Sequence, residues 1–418
     1  MKIPFNTPGR RGPIVAVAAV LAIAYVGLAA SQFAASWLAG RVELNSLKRA
    51  AWLDPGNAEY RDHLGRYYDL VARDPAAAAR EYKAAAQLNP HSARYWFDLA
   101  SSYQVLGDTA NQAAALERAI QADSTTPDVA WEAANLYLVQ GENDKAQREF
   151  RVVIANDQSL EMTALQFSWR INPDVDAMLR DTVPARVDAY TAFLELLESK
   201  GETSGTSKVW DALMLTHQPF ELRFAYEYIR YLVQHKEVDQ AVLAWQQIAS
   251  RFGYSSYLPS ASNLIVNGNF NLNVLNAGFD WQYQKQSSVT LTLDPSDFHA
   301  GRRSLLVTFD GPGIMEAGIY QLVAVQPSTT YDFTGYYKTG EIEGAGGPHF
   351  TIQDMYTQAV YYESEELKDS GFWKSADGEF TTGSDCKLIV LHIRRLPAGS
   401  PMRGKLWVGD FHLIRKPS

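Results

Sequence analysis

Apolar positions in the middle of the chain recur every 34 residues. Tyr103 and Gly107 return as Tyr137 and Gly141; Tyr82, Leu116 and Phe150 share one step, and Ala85, Ala119 and Val153 another. A fixed period of this length predicts stacked helix pairs, because one pair cannot bury its apolar face alone. Large residues (Trp96, Leu99, Tyr103; Trp131, Tyr137) alternate with small ones (Ala100; Ala133, Ala134), as close helix packing demands. Full units fall at Tyr60–Asn89, Ala93–Thr126 and Pro127–Leu160. The first is one residue out of register, which implies an insertion near Arg73-Asp74-Pro75. Arg41–Leu53, stopped by Asp54-Pro55-Gly56, reads as the second helix of a leading half-repeat. Residues 161–183 carry helical signals without the repeat, Pro184–Leu215 reads as a degenerate unit, and Leu222–Gln234 with Val238–Phe252 as the last pair.

After Tyr254–Ser262, a run of tyrosine, serine and proline, the helical period disappears. Short runs bounded by Gly, Pro and Asp replace it: Val289–Leu293, Ser304–Phe309, Gly318–Val323, Thr330–Lys338, His349–Asp354, Lys387–Arg394 and Lys405–Ile414. Many short strands at such spacing predict a two-sheet antiparallel sandwich. In Ser304–Phe309 the residues Leu305, Val307 and Phe309 fall on one side.

A third pattern opens the chain. Lys2, Arg10 and Arg11 precede an apolar run over residues 13–38. About 20 apolar residues span a bilayer as a helix. The basic flank favours the cytoplasm, which places the bulk of the chain on the outer side. A cleaved signal peptide is the rival, with Ala29, Ala30 and Ser31 near the cut; the length of the run and Trp37 at the outer interface favour a retained anchor.

Composition narrows the function. The 418 residues are 46% apolar and 12% aromatic with net charge −9, which suits packed domains and argues against a nucleic-acid footprint. The single cysteine, Cys386, makes no internal disulfide, and the eight histidines show no metal-ligand spacing. No nucleophile elbow, Walker loop, zincin helix or dinucleotide fingerprint is present, so the expectation is a binding protein and not an enzyme.

The tracts Tyr103-Gln104-Val105-Leu106-Gly107 and Tyr137-Leu138-Val139-Gln140-Gly141, with Ala146, Phe150 and Val153 after them and Pro90 between units, resemble tetratricopeptide repeats. In that family the first helix of each pair lines a concave groove. The resemblance therefore implies a partner-binding face carrying Arg94, Phe97, Ser101, Trp131, Asn135, Arg223, Tyr226 and Arg230. The alternative for each is packing between helices, with solvated arginines.

The opening Asn263-Leu264-Ile265-Val266-Asn267-Gly268-Asn269-Phe270, then Phe279 and Trp281, and the closing Leu406-Trp407-Val408-Gly409-Asp410-Phe411-His412-Leu413 resemble jelly-roll carbohydrate-binding modules over residues 262–418. The resemblance implies glycan binding on exposed aromatics. Tyr361, Tyr362 and Trp373 lie in a segment without strand patterning and are the candidates, with Glu363, Glu365 and Glu366 as hydroxyl acceptors. Some relatives hold a structural calcium, for which Asp410 with Asn267 is the matching place. Trp281 and Trp407 read as core.

The expected architecture is multidomain, α then β: a tip and transmembrane anchor at 1–40, an α-solenoid of tetratricopeptide repeats at 41–255, and an antiparallel β-sandwich (jelly roll) at 262–418. The expected role is a non-enzymatic scaffold of the bacterial cell envelope, single-pass in the inner membrane. Its solenoid binds other envelope proteins, and its sandwich binds a polysaccharide during assembly or export. The alternative is a protein–protein adaptor whose sandwich docks without a glycan. No cofactor other than the calcium is expected.

Overall fold

The computed structural model describes residues 8–311, 315–368, 370–395 and 401–417. Lys2 of the basic flank lies outside the described residues. The chain forms two compact units, Met1–Leu196 and Leu197–Ser418.

The first unit opens with α1, Pro8–Ala39. Among the described residues, one helix is long and apolar enough to cross a membrane or to serve as a signal sequence, and it is Gly12–Ala39. Ile14, Val15, Leu21, Ile23, Val26 and Leu28 are all exposed along it. A helix apolar all round needs lipid or protein about it. Its last turns behave differently. Ala35 is buried and Leu38 and Ala39 half-buried against Leu47, Ala50 and Ala51 of α2, Leu44–Leu53. The expected half-repeat is thus a whole hairpin, its first helix being the end of α1. Arg41 lies over the Trp37 ring at 3.8 Å, at the bend between the two helices.

Three hairpins follow: α3 (Ala58–Arg66) with α4 (Pro75–Leu88), α5 (Ala93–Leu106) with α6 (Thr109–Ala122), and α7 (Pro127–Gln140) with α8 (Asn143–Asn156). Gly107 and Gly141 end α5 and α7 in the left-handed region, at φ 72° and 76°. Asp108 N–H then reaches the Tyr103 carbonyl (3.0 Å) and Glu142 N–H the Tyr137 carbonyl (2.9 Å). The recurring tyrosine-to-glycine spacing is this helix stop, which a residue without Cβ adopts freely. Asp74 and Asp108 cap the return helices α4 and α6 through the Ala77 and Asn111 amides. The extra residue of the first unit is absorbed before the expected place: α3 continues as a π-helical stretch, Tyr67–Ala72, and leaves it through Arg73 at φ 53°. Helices α9 (Gln158–Ile171) and α10 (Val175–Asp181) depart from the repeat, and α11 (Val187–Lys200) crosses into the second unit.

Among its described residues the second unit contains α12 (Thr203–Leu215), α13 (Leu222–Gln234), α14 (Val238–Phe252) and ten strands. The strands are β1 (Trp281–Tyr283), β2 (Val289–Asp294), β3 (Ser304–Gly311), β4 (Glu316–Ala324), β5 (Thr330–Glu343), β6 (Pro348–Asp354), β7 (Val360–Glu363), β8 (Lys374–Thr381), β9 (Leu388–Arg395) and β10 (Met402–Arg415). They form two antiparallel five-stranded sheets, β1-β4-β9-β6-β7 and β2-β3-β10-β5-β8. Phe270, Trp281, Phe333, Phe350, Leu391 and Phe411 fill the space between them. Trp281 is 1% exposed, as expected of core. Trp407 is not core: it is half-buried on the outer face of the second sheet, and its indole N–H donates to Asp294 (2.8 Å).

The opening motif is not a strand. Asn263 ties it to β10: its amide donates to the Phe411 carbonyl (2.9 Å) and its oxygen accepts from the Leu413 and Ile265 amides (3.0 Å each).

The helices of the second unit pack on its strands. Val242 and Trp245 of α14 face Leu258, Leu264, Val266, Phe279 and Leu322. Trp245 is 1% exposed, donates to the Tyr257 carbonyl (3.0 Å), and lies flat against Gly278. Gly278 has φ +60°, and a Cβ there would come within 2.4 Å of the indole. Tyr356 donates to the Val233 carbonyl at 2.8 Å and Lys387 pairs with Asp239 at 2.6 Å, fixing the far side of the hairpin α13–α14. Composition changes after Phe252, but packing groups α12–α14 with the sandwich.

Candidate functional site

With α13–α14 held at both sides, a cleft of 560 Å³ remains between α13 and the outer face of the first sheet. Strand alternation supplies one wall. Gln282 of β1 and Gln284 just beyond it point out, as do Tyr320 and Leu322 of β4, while Trp281 and Ile319 point into the core. Gln282 stands opposite Tyr320, and Tyr320 opposite His392 of β9, which pairs with Thr351 of β6. A polar row therefore crosses four strands. The Tyr320 hydroxyl donates to Gln282 Oε1 (3.0 Å), and the Gln282 amide donates to the Gly278 carbonyl (2.7 Å). Farther along the row, His392 Nε2 and Thr351 Oγ1 are buried without a hydrogen-bond partner. Burial pushes the Tyr320 phenol up, and the positive charge of Arg230 opposes this.

The helical wall carries Arg223, Tyr226, Glu227 and Arg230. The spacing 223-226-227-230 is one stripe of a helix. Arg223 is 3.7 Å from Glu227 and 3.8 Å from Glu221. Burial pushes the Tyr226 phenol up to about 12. Behind this end of the cleft, Asp280 is fully buried; Oδ2 accepts from the Leu275 amide (2.7 Å) while Oδ1 has no partner. Burial raises its pKa to about 6.

The expected partner-binding face thus divides. Arg223, Tyr226 and Arg230 belong to the cleft of the second unit. Arg94, Phe97 and Trp131 line a separate 460 Å³ groove in the first unit, with Arg66, Asp98 and Glu132. Phe97 itself is buried, Trp131 packs edge-on to Phe150 and Phe167, and the Asn135 amide caps the Trp131 carbonyl of its own helix (2.9 Å). Under this groove Asp62, 1% exposed, holds Arg94 at 3.0 Å and Arg66 at 3.1 Å. Burial and the neighbouring Asp62 carboxylate raise the pKa of Asp98.

The three aromatics expected to be free for sugar are engaged elsewhere. Tyr361 is the extra residue of a β-bulge between β6 and β7, so both it and Tyr362 turn toward the core. The Tyr361 ring stacks on Phe380 at 6.1 Å and its hydroxyl accepts from the Gly383 amide (3.1 Å); the Tyr362 ring lies 5.2 Å from Phe333. Trp373 is half-buried, with its N–H donating to Asp297 (3.0 Å) and its ring 6.0 Å from His299, which stacks on Tyr336.

The residues matched to a calcium site are engaged with protein groups. Asp410 Oδ2 and Oδ1 lie 2.9 Å from His299 Nδ1 and His412 Nε2. Asn267 Oδ1 accepts from the Leu272 amide (2.9 Å). Calcium wants six to eight oxygens, and among the described residues no group of three or more His, Cys, Asp or Glu is placed to hold a metal.

Sequence reasoning missed Tyr320, Gln282 and Gln284. The alternation in Trp281-Gln282-Tyr283-Gln284 was the available signal, but the strand is only three residues long.

The family model described as a carbohydrate binding domain matches residues 262–395. No curated protein matches the chain. Similar solved structures include one reported as "CBM4 structure and function" (15% identity, TM-score 0.29, covering 36% of this chain and 99% of that one). Another is "Crystal structure of MamA" (22%, 0.24, 41% and 84%). A third comes from the functional characterization of Pseudomonas aeruginosa pilF (16%, 0.27, 55% and 95%). The C-terminal segment of this chain resembles a carbohydrate binding domain, and helical hairpins at the 34-residue step of tetratricopeptide repeats precede it.

Proposed function

We propose that this protein is a non-enzymatic binding protein of the bacterial cell envelope, anchored in the inner membrane by α1 with its bulk on the outer side. It holds a glycan in the cleft of the second unit and a protein partner in the groove of the first, in support of surface-polysaccharide assembly or export. The cleft carries the glycan reading. Its sheet wall lies on the segment matched by the carbohydrate binding domain, and the cleft offers amides, phenols and an apolar floor. Sugar rings are bound by that combination of hydroxyl partners and aromatic faces. The full chain in detergent micelles, screened against a glycan array, should retain glycan, and Gln282→Ala should weaken it at least fivefold. Silence across the array refutes the glycan reading.

One observation favours the adaptor alternative: α13–α14 already occupies part of the sandwich face through Tyr356 and Trp245. On that reading the sandwich serves only as a dock. Cross-linking that captures an envelope protein through Trp131 or Arg94, with no glycan bound, would support it.

A further inference from the structure

We infer that the cleft is a composite site for an acidic glycan, in which Arg230 of the helical wall receives a uronate carboxylate while Tyr320 and Gln282 of the sheet wall hold the ring hydroxyls. The inference rests on the reading that the second unit binds sugar.

The two arginines of α13 differ. Arg223 has Glu221 and Glu227 within 3.8 Å. Arg230 makes no ion pair among the described residues, yet it lines the same cavity and acts on the Tyr320 phenol. A neutral sugar needs donors and acceptors but no charge, and the sheet wall already supplies them. The one carboxylate of the helical wall, Glu227, is paired with Arg223, which leaves Arg230 as a cation outside any ion pair among the described residues, beside the apolar side chains of Val233 and Leu322. A guanidinium matches a carboxylate in two parallel hydrogen bonds. β1 is an edge strand, but it is three residues long and its Tyr283 amide already donates to Asn276 (2.8 Å), so an extended acidic peptide finds little free backbone to pair with there. Because Arg230 and Tyr320 come from different parts of the fold, neither wall alone makes the site.

The test uses the full chain in detergent micelles. Titration calorimetry compares oligogalacturonate, oligomannuronate and oligoglucuronate of equal length with their carboxyl-reduced counterparts. At least one acidic oligomer should bind tenfold or more tighter than its reduced form. Arg230→Gln should abolish that preference without lowering Tm, Arg230→Lys should keep part of it, and Arg223→Gln should change it less than threefold. The preference should also shrink as salt rises. Equal binding of acidic and reduced forms, or a preference that survives Arg230→Gln, overturns the carboxylate assignment while leaving sugar binding intact. Binding of none of these oligomers and of no neutral glycan overturns both.

Discussion

Replacing Gly278 by alanine tests the joint on which the cleft depends. The native φ of +60° costs an L-residue about 1–2 kcal/mol. The new methyl would also lie 2.4 Å from the Trp245 indole, where contacting carbons need about 3.5–4 Å. Overpacking of this kind costs about 1–3 kcal/mol. The two effects together give about 3 kcal/mol against the second unit. Trp245→Leu alone should cost about 3–4 kcal/mol, through lost burial and the lost bond to Tyr257. It also removes the atoms that the methyl strikes. The double variant should therefore fall short of the summed losses by about 1–2 kcal/mol. Pulse proteolysis across a urea series, scoring products of residues 197–418, reads this unit apart from the rest. A Gly278→Ala loss below about 0.5 kcal/mol, or strict additivity in the double variant, would refute the wedge.

Other predictions concern single groups. Asp280, with its pKa raised from 3.8 to about 6, binds its proton more tightly when folded, so its contribution to stability falls as pH rises from about 4 to 6. The shift is worth about 3 kcal/mol, and the Tm advantage of Asp280→Asn over the native chain should grow across that window and level off above it. Asn263→Ala deletes three hydrogen bonds to backbone and should cost the second unit about 2–4 kcal/mol in the same proteolysis assay. Tyr362→Ala should lower Tm by removing a ring packed on Phe333, and leave glycan affinity within twofold. Millimolar EDTA should move Tm by less than about 1 °C, since the Asp410 carboxylate is held between two histidines.

Features fixed by local backbone chemistry were legible in the sequence. The recurrence of Gly107 and Gly141 was legible because the left-handed helix stop favours glycine at each return of the period, whereas the Asp74 and Asp108 caps of the helices that follow showed only in the structure. The alternation of Leu305, Val307 and Phe309 marks an inward face that the core confirms. Errors came where one residue resets the period. The bulge at Tyr361 turns two neighbouring tyrosines the same way, which hides β7 and makes buried rings look free. Strand β8 was missed because only Phe380 of its eight residues is buried. The cleft was the least legible feature. Arg223, Tyr226 and Arg230 could be chosen by helical register, but their neighbours Gln282 and Tyr320 are brought in by packing across more than fifty residues of chain.

The single helix that runs from Pro8 to Ala39 supplies the first hairpin with no break between its apolar length and the repeats. Each residue of an α-helix turns about 100°. If α1 spans the membrane, its register dictates the compass bearing of the repeat stack. One alanine inserted between Leu28 and Ala29 would swing the Arg94–Trp131 groove roughly a quarter-turn about the helix axis, with every repeat intact. A partner fixed in the same membrane would then face the wrong side.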